Sequence, residues 1–486
     1  FCGVKITLML NISSKQVILG FLSVLFVFKA DGQKLLTMKE AEQIALTNYG
    51  TIKSKANQLN ASKAYLTETK TEYLPDLTIS AQQDRGTVNS QFGPLFALKG
   101  QALSSAGPIL GKQNWQAVFG SLYLSNVSWD FFAFGKAVER VKVQKNVVNL
   151  NETDLVQEQF QHQVRVASTY LNLLAAQQLS KAQQDNLNRA IDLQKVVVAR
   201  VNNGLNPGVD SSQANAEVSN ARIALTNAQE TVQEQSNLLS QYLGIIPQDF
   251  QLDSAFVTKA PANTNPQPQV TFDNHPTLRF FQNRINVSDE QAKYLNTFSY
   301  PTFSLFGTFD GRGTGFTPNA AAAANSVTGA AASSSAYNVN SSYGAGIEPT
   351  RYNYLIGVGV TWNLTMPFRV HYQVKSQKFT SAQYKNDYEV VSQQLRDEQV
   401  LADTRIANAL KNYHEVPIEV KAASDAYNQK FALYKNGLAN IVDFTQALYV
   451  LNRAEVDNDI ASNNVWQAIL YKAAATGDFG IFINNF

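Results

Sequence analysis

The chain has 486 residues, a formal net charge of +2 and 16% charged residues, against roughly 25% in an average soluble protein. This balance gives no global attraction to nucleic acid, and no run of Lys and Arg with interleaved aromatic residues indicates a phosphate-binding surface. Nucleic acid is therefore not an expected partner, and the surface is predicted to be polar but largely uncharged.

The N-terminus is typical of an export signal. Lys15 supplies a positive charge ahead of the apolar run Val17–Phe28, which is too short for a membrane span of about 20 residues. We expect residues 1–32 to be a signal peptide with upstream residues, and the mature chain to start at Gln33. The one cysteine, Cys2, lies in that segment, so the mature chain is predicted to lack disulfides, thiolate metal sites and a lipid anchor.

One phrase of the sequence occurs twice. The stretch NGLNPGVDSSQA begins at Asn203 and NGLANIVDFTQA begins at Asn436. Their shared residues keep a constant offset of 233, and Trp129 and Trp362 are related by the same offset. This self-similarity indicates an internal duplication. We predict a first repeat over residues 33–244, a linker over 245–270, a second repeat over 271–475 and a C-terminal tail over 476–486.

The first repeat is predicted to begin with a helix from Thr37 to Tyr73, which ends before Pro75 because proline cannot continue it. A β-hairpin is expected within residues 76–130. From Lys136 to Val201 nothing interrupts a helical pattern, which at 1.5 Å per residue gives a rod of about 100 Å. After the turn, a shorter helix returns. Apolar residues at coiled-coil spacing are Val164, Ala167, Leu171, Leu174, Val218, Ala221, Leu225, Ala228 and Val232.

The second repeat follows the same plan. A helix is predicted over Asn274–Phe298, a β-hairpin within residues 301–364, and a long helix over Val370–Lys435, with Pro417 expected to bend it. A shorter helix again returns after the turn. Between the strands of each repeat lies a long insert, Gly86–Gln116 and Gly311–Thr350, and the Ala-rich part Asn319–Ser335 is expected to be mobile.

Catalytic motifs find little support. His162, His275, His371 and His414 lack metal-ligand spacing, so a surface role is predicted for them. The stretch GRGTG at Gly311 lacks the Lys of a phosphate loop, and no nucleophile elbow or carboxylate pair is present. The protein is therefore not expected to be an enzyme, and no cofactor or metal is predicted.

The predicted strands leave two alternatives. Alternating apolar and small polar residues are ordinarily typical of a soluble β-sandwich. The export signal and the flanking aromatic residues favour instead a membrane barrel shared between copies, since four strands cannot close one alone. These aromatic residues are Trp129, Phe131, Phe132, Phe134, Tyr300 and Trp362.

The two turn aspartates, Asp210 and Asp443, also leave alternatives. Each lies near the start of a returning helix, where aspartate is most often a cap. In an oligomer the same carboxylates would form a ring at a pore mouth, and the two roles are compatible.

With these features in place, the sequence resembles the TolC family of outer-membrane efflux and secretion channels. The resemblance covers nearly all of the predicted mature chain and rests on the order of several short motifs. These motifs are Leu36–Leu46 (LTMKEAEQIAL), Tyr73-Leu74-Pro75, Trp129 ahead of Gly135-Lys136, the two NGL…VD…QA turns, and Ala216-Glu217-Val218 with Ala221-Arg222.

The resemblance implies a mainly α fold with a small β part. Four strands per chain would contribute to a 12-stranded transmembrane β-barrel in a homotrimer, and the duplicated helical hairpins would form a periplasmic α-barrel. The implied entrance residues are Asp210, Asp443, Tyr434 and Gln446, and the implied adaptor-docking tips are Asn203, Gly204, Leu205, Asn436, Gly437 and Leu438. Two positions depart from the family pattern: Ala439 replaces an arginine of the entrance latch, and Gln446 replaces an acidic residue.

The function implied by the resemblance is a passive outer-membrane exit duct, opened at its periplasmic tip. The expected partners are a periplasmic adaptor protein, an inner-membrane pump or ABC exporter, and outer-membrane lipid. The resemblance does not distinguish the channel of a tripartite efflux pump from the channel of a type I secretion system. The alternatives are a periplasmic adaptor, or a coiled-coil scaffold without channel activity.

Overall fold

The computed structural model describes residues 35–87, 113–253, 256, 274–318 and 337–484. The predicted signal segment 1–32, most of the linker 245–270 and the Ala-rich stretch Asn319–Ser335 lie outside the described residues. Within the described ranges, no helix combines the length and the apolar character needed to cross a membrane.

The two repeats contain the same series of main elements. The first has α1 (Met38–Asn48), α2 (Gly50–Thr71), β1 (Asp76–Gly86), β2 (Val118–Phe132), α3 (Lys136–Asn202) and α4 (Gly208–Leu243). The second has α5 (Pro276–Thr297), β3 (Thr302–Thr314), β4 (Phe316–Pro318), β5 (Tyr337–Val339), α6 (Tyr343–Ile347), β6 (Arg351–Thr361), α7 (Met366–Lys435), α8 (Ile441–Thr476) and α9 (Gly480–Ile483).

Two predicted element boundaries are wrong. The helix expected over Thr37–Tyr73 is interrupted at Tyr49, whose backbone is extended (φ −63°, ψ 125°) and whose ring stacks on His162 with centroids 3.8 Å apart. The insert expected over Gly311–Thr350 contains the end of β3, the β4–β5 pair and α6. Both differences come from tertiary contacts that local periodicity does not encode.

The long helices pack as two antiparallel hairpins, α3 with α4 and α7 with α8. The predicted coiled-coil residues Ala167, Leu171, Val218 and Ala221 are buried along the first hairpin. Helix α3 also packs against α8, so the four helices form a layer in the order α4, α3, α8, α7. Pro417 lies inside α7, which continues through it.

The largest hydrophobic core lies where the middle of α3 meets α8, and α1 and the C-terminal residues cover it. Its fully buried members include Tyr170, Trp466 and Phe482. Two histidines lie beside it. His162 and His275 are completely buried, with Nε2 2.9 Å from the Tyr242 carbonyl and 3.2 Å from the Ala474 carbonyl. The surface role predicted for these two histidines is therefore wrong; burial lowers the pKa of both.

The four long strands form one antiparallel sheet in the order β1-β2-β3-β6. Because directly opposed residues point to the same face, the pairings Leu77↔Val127, Val127↔Gly307 and Gly307↔Ile356 define one row across the sheet. We call the face that carries this row the apolar face. Other side chains on it, by the same register, are Ile79, Tyr123, Trp129, Leu305, Phe309, Tyr352, Tyr354, Val358 and Val360.

The opposite face, which we call the polar face, carries hydrogen bonds between neighbouring strands. Thr308 Oγ1 donates to Asn126 Oδ1 at 3.0 Å, and Asn353 Nδ2 donates to Asp310 Oδ2 at 3.2 Å. The polar face combines these contacts with the apolar side chains of Leu124, Phe306 and Leu355, so apolar side chains are concentrated on the apolar face without being confined to it. The edge strands of the sheet are β1 and β6.

Candidate functional site at the hairpin tips

The two turns predicted from the repeated phrase have the same geometry. Gly204 and Gly437 have φ values of 72° and 75°, as expected of the left-handed residue that ends a helix. Asn203 and Asn436 each donate a side-chain amide to the carbonyl four residues earlier, at 2.7 Å and 2.8 Å. The repeated phrase therefore specifies one helix-ending turn that the chain uses twice.

The capping role considered for the two aspartates is wrong. Asn440 caps α8, because its Oδ1 accepts the backbone N–H of Asp443 at 2.8 Å. Pro207 occupies the equivalent position of α4, without a side-chain cap. Asp210 and Asp443 instead lie within the first turns, where a carboxylate is stabilised by the helix dipole.

A chain of polar contacts links the first turn to the second hairpin. Arg200 Nε donates to Asn206 Oδ1 at 2.8 Å, and Asn206 Nδ2 donates to Asp210 Oδ2 at 2.7 Å. The same amide group donates to the Tyr434 hydroxyl at 3.3 Å. Arg200 Nη1 also donates to the Lys435 carbonyl at 3.0 Å. The structure therefore brings the predicted residues Asp210 and Tyr434 together, with Asn206 between them.

Apolar packing supports this network. Tyr434 of α7 is buried among Leu193, Val197, Ile441 and Phe444, which come from α3 and α8. Burial, followed by the nearby Asp210 carboxylate, raises the pKa of the Tyr434 hydroxyl. The hydroxyl therefore stays protonated at neutral pH. We call the apolar cluster of Leu193, Val197, Tyr434, Ile441 and Phe444 the tip core.

The other two predicted entrance residues lie apart from this network. Asp443 is half exposed, and its Oδ2 lies 3.4 Å from Lys430 Nζ. Gln446 is exposed on the next turn of α8. Asp443 is therefore available to solvent and ions, in contrast to Asp210, which is engaged by Asn206.

The predicted docking tips present apolar side chains to solvent. Leu205 and Leu438 are 67% and 75% exposed at the ends of the two turns. Val209 and Val442, at the starts of the returning helices, are also exposed. Each tip therefore carries a small apolar surface of the same composition.

The sequence reasoning missed Arg200 and Asn206. By the 233-residue offset they correspond to Leu433 and Ala439, so Arg200 precedes the repeated phrase and Asn206 occupies one of its variable positions. A search for positions at which the two repeats differ near the turns would have found them.

Among the residues that the structure describes, no group of three or more His, Cys, Asp or Glu side chains is arranged to hold a metal ion.

Residues 42–245 match the family model described as outer membrane efflux protein. No curated protein matches the chain. The structural neighbours are channels rather than enzymes.

Several solved channels share the fold. VceC from Vibrio cholerae is 17% identical with a TM-score of 0.70, over 91% of this chain and 96% of that one. CmeC from Campylobacter jejuni is 14% identical with a TM-score of 0.70, over 90% and 85%. The open-state MtrE channel from Neisseria gonorrhoeae is 14% identical with a TM-score of 0.68, over 91% and 89%. The mainly α fold with a small antiparallel sheet predicted from the sequence is confirmed, and the match over residues 42–245 agrees with the predicted family resemblance.

Proposed function

We propose that the protein, whose residues 42–245 match the family model described as outer membrane efflux protein, is a passive exit duct in the outer membrane with its helical part in the periplasm. Three copies would form a continuous channel from the periplasm to the cell exterior. The channel would serve a tripartite efflux pump or a type I secretion system.

The observation that carries this proposal is the open, two-faced sheet. Its apolar face is exposed to a degree that a soluble protein would avoid, with Ile79, Tyr354 and Ile356 each at least 74% exposed. Contiguous exposed apolar surface marks contact with lipid or protein. In a membrane barrel, strands alternate apolar side chains towards lipid and polar side chains towards the lumen.

The polar face fits a water-filled lumen. The Thr308–Asn126 and Asn353–Asp310 hydrogen bonds join neighbouring strands on that face. Ser304 Oγ donates to Asp130 Oδ1 at 2.5 Å on the same side. A soluble sandwich would place its apolar face inside, against a second sheet, so the pattern of exposure favours a barrel wall.

Closure of the barrel requires more than one chain. Membrane barrels have at least eight strands, and this chain contributes four to the sheet. Pairing β1 of one copy with β6 of the next would satisfy both edges. Three copies would give twelve strands, which is the number that the family resemblance implies.

The helical layer would close in the same way. Its outer helix α7 exposes Phe368, Tyr372 and Phe379, each at least 67%. These side chains lie on the part of α7 near the sheet, where the neighbouring copy would cover them. Burying them at an interface would stabilise the trimer by roughly 1.5–3 kcal/mol for each fully covered side chain.

The tips would form the entrance and the docking surface. Six similar turns per trimer, each with an exposed leucine, offer a repeated surface for the helical hairpins of an adaptor protein. The adaptor would open the entrance by binding the open arrangement of tips more tightly than the closed one. Energy for export would come from the inner-membrane pump or ABC exporter.

The experiment is reconstitution of the detergent-extracted protein into planar lipid bilayers. Discrete conductance steps would support the channel, and an electrically silent protein that inserts stably would contradict it. Export of a fluorescent dye from cells that lack this gene and its paralogues, with and without the restored gene, tests the role in efflux.

A further inference from the structure

Each helical hairpin contains a pocket between its two long helices. In the first hairpin the pocket has a volume of about 230 Å³, and Asn172, Leu179 and Thr231 are among its lining residues. In the second hairpin the pocket lies between α7 and α8 and has a volume of about 810 Å³. We call this larger pocket the α7–α8 pocket. Its volume lies in the range of about 300–1,000 Å³ that is typical of sites for small organic molecules.

The two pockets occupy equivalent places in the two repeats. The 233-residue offset relates Asn172, Leu179 and Thr231 to three residues that line the α7–α8 pocket, namely Arg405, Asn412 and Asn464. The gap between the helices is therefore shared by both repeats, and the two pockets differ in their volume and in their side chains.

The α7–α8 pocket opens on the side of the helical layer opposite to the largest core. Trp466 of that core and Asn464 of the pocket are two residues apart on α8, which is about 200° around the helix axis. Phe256 and Phe482 pack on Trp466, with ring centroids 5.0 Å and 6.3 Å away. We place the Asn464 side towards the passage of the proposed duct, because the chain that covers Trp466 would obstruct the passage if it lay inside.

The end of the pocket nearer the second turn carries carboxylates. Glu415 and Glu419 are one helical turn apart on α7, and Asp457 lines the same end from α8. Arg453 Nε lies 3.6 Å from the Asp457 carboxylate. The ion pairs between described residues include neither Glu415 nor Glu419. This end of the pocket therefore attracts a positively charged group.

Arg405 lies at the other end of the pocket. Its guanidinium is over the Tyr471 ring, with Cζ 4.3 Å from the centroid. Ten residues of α7 separate Arg405 from Glu415, which corresponds to about 15 Å. Buried Ala409 and Ala468 line the stretch between the two ends. A cation with an apolar body therefore has one favoured direction, since Arg405 repels the charged group that the carboxylates attract.

We propose that the α7–α8 pocket binds organic cations with an apolar body, and that Glu415 and Glu419 hold the cationic group. Binding follows from the pocket, whereas its place in a transport passage rests on the proposed function. In the duct, the pocket would favour one chemical class of cargo. The smaller pocket is not expected to bind such cations, because Ala182 and Asn186 occupy the positions equivalent to Glu415 and Glu419.

The test is equilibrium binding of proflavine, a planar aromatic cation, to the full-length protein in detergent, followed by fluorescence anisotropy. We expect saturable binding of one dye per chain. Exchange of both carboxylates, Glu415→Gln with Glu419→Gln, should weaken binding roughly tenfold, because two charges close to the cation are lost. All variants are measured in the same detergent, so partition of dye into micelles is common to them.

Two controls address charge. Glu230→Gln removes an exposed carboxylate of α4 that does not line the α7–α8 pocket, and it should bind proflavine like the wild-type protein. Fluorescein, an aromatic anion, should show no saturable binding.

A matched pair of substitutions tests the position of the site. Asn464→Trp places an indole in the α7–α8 pocket and should abolish proflavine binding. Thr231→Trp places the same side chain at the equivalent position of the smaller pocket and should leave binding unchanged. Native mass and thermal unfolding of both variants report whether assembly and fold are retained.

Three results would overturn the proposal. These are a wild-type protein without saturable proflavine binding, equal binding by the double Gln variant, and a fall in native mass in Asn464→Trp, which would identify the pocket as a contact between copies. Failure of the proposed function is distinguishable. A wild-type protein that is electrically silent in planar bilayers, but binds proflavine through Glu415 and Glu419, would refute the duct and leave the binding site standing.

Discussion

Trp129 and Trp362, at equivalent positions of the two repeats, make the same contact. The Trp129 indole Nε1 donates to the Tyr73 carbonyl at 2.8 Å, and the Trp362 indole Nε1 donates to the Ser299 carbonyl at 3.2 Å. In each repeat this hydrogen bond connects the C-terminal end of a strand, β2 or β6, to the segment that follows the helix before the sheet, α2 or α5. The duplication is therefore preserved in side-chain contacts as well as in the order of elements.

The two tryptophans should differ in their contribution to stability. Trp129→Phe is expected to lower the free energy of unfolding by about 1 kcal/mol, the typical value of a hydrogen bond. Trp362→Phe should cost less than half as much, because Trp362 is more exposed and its bond is longer. Thermal unfolding in detergent measures both, and equal losses would contradict the comparison.

Glu42 should make stability depend on pH. It is buried, its Oε1 has no hydrogen-bond partner within the part of the chain that the structure describes, and burial raises its pKa from 4.5 to about 7. Because the folded protein binds this proton more tightly than the unfolded chain, stability falls as pH rises from about 4.5 to about 7. Glu42→Gln should therefore stabilise the protein by about 3 kcal/mol above pH 7 and have little effect at pH 4.

The prediction is tested by measuring the free energy of unfolding of the wild-type protein and of Glu42→Gln at several pH values. Glu68→Gln, an exposed position on α2, is the control and should leave the pH profile unchanged. A constant difference between Glu42→Gln and the wild-type protein at all pH values would refute the assignment.

Alanine substitutions at two glycines, Gly204 and Gly477, would distinguish the stability cost of backbone strain from that of steric crowding. Gly204 and Gly477 have nearly equal positive φ values, 72° and 73°. A Cβ at Gly204 meets nothing within 4 Å, whereas one at Gly477 lies 2.7 Å from His275 Cδ2. Gly204→Ala should cost about 1 kcal/mol of strain, and Gly477→Ala about 3 kcal/mol, since overpacking adds to it. Equal costs in thermal unfolding would contradict this account.

Asp443 should bind multivalent cations at the entrance. It is half exposed, and Lys430 is its ion-pair partner at 3.4 Å, so three copies would present a ring of carboxylates. Asp443→Ala is expected to weaken block of the open channel by such cations roughly tenfold or more, because the ring loses three charges and each contributes on the order of 0.5–1 kcal/mol in water. Planar-bilayer conductance measures the block. Gln446→Ala is the uncharged control, and unchanged block in Asp443→Ala would refute a cation-binding ring.

Much of the architecture could be predicted because it follows periodic patterns. An uninterrupted helical pattern located α3 to within one residue at its C-terminal end, and the repeated phrase located both turns. The break at Tyr49 could not be predicted, since it accompanies stacking on His162, more than one hundred residues away.

The candidate site was only partly predictable for the same reason. Asp210 and Tyr434 were identified through the family resemblance, while Arg200 precedes the repeated phrase and Asn206 occupies one of its variable positions. Their roles arise from the meeting of two hairpins whose turns are 233 residues apart. Periodicity within one hairpin carries no information about that contact.

The central claim is that several copies share one channel, and native mass tests it most directly. The protein would be extracted in detergent from isolated outer membranes and its mass measured with the detergent contribution subtracted. We predict the mass of three chains. The mass of one chain would leave β1 and β6 as open edges of a four-stranded sheet and would contradict the shared channel.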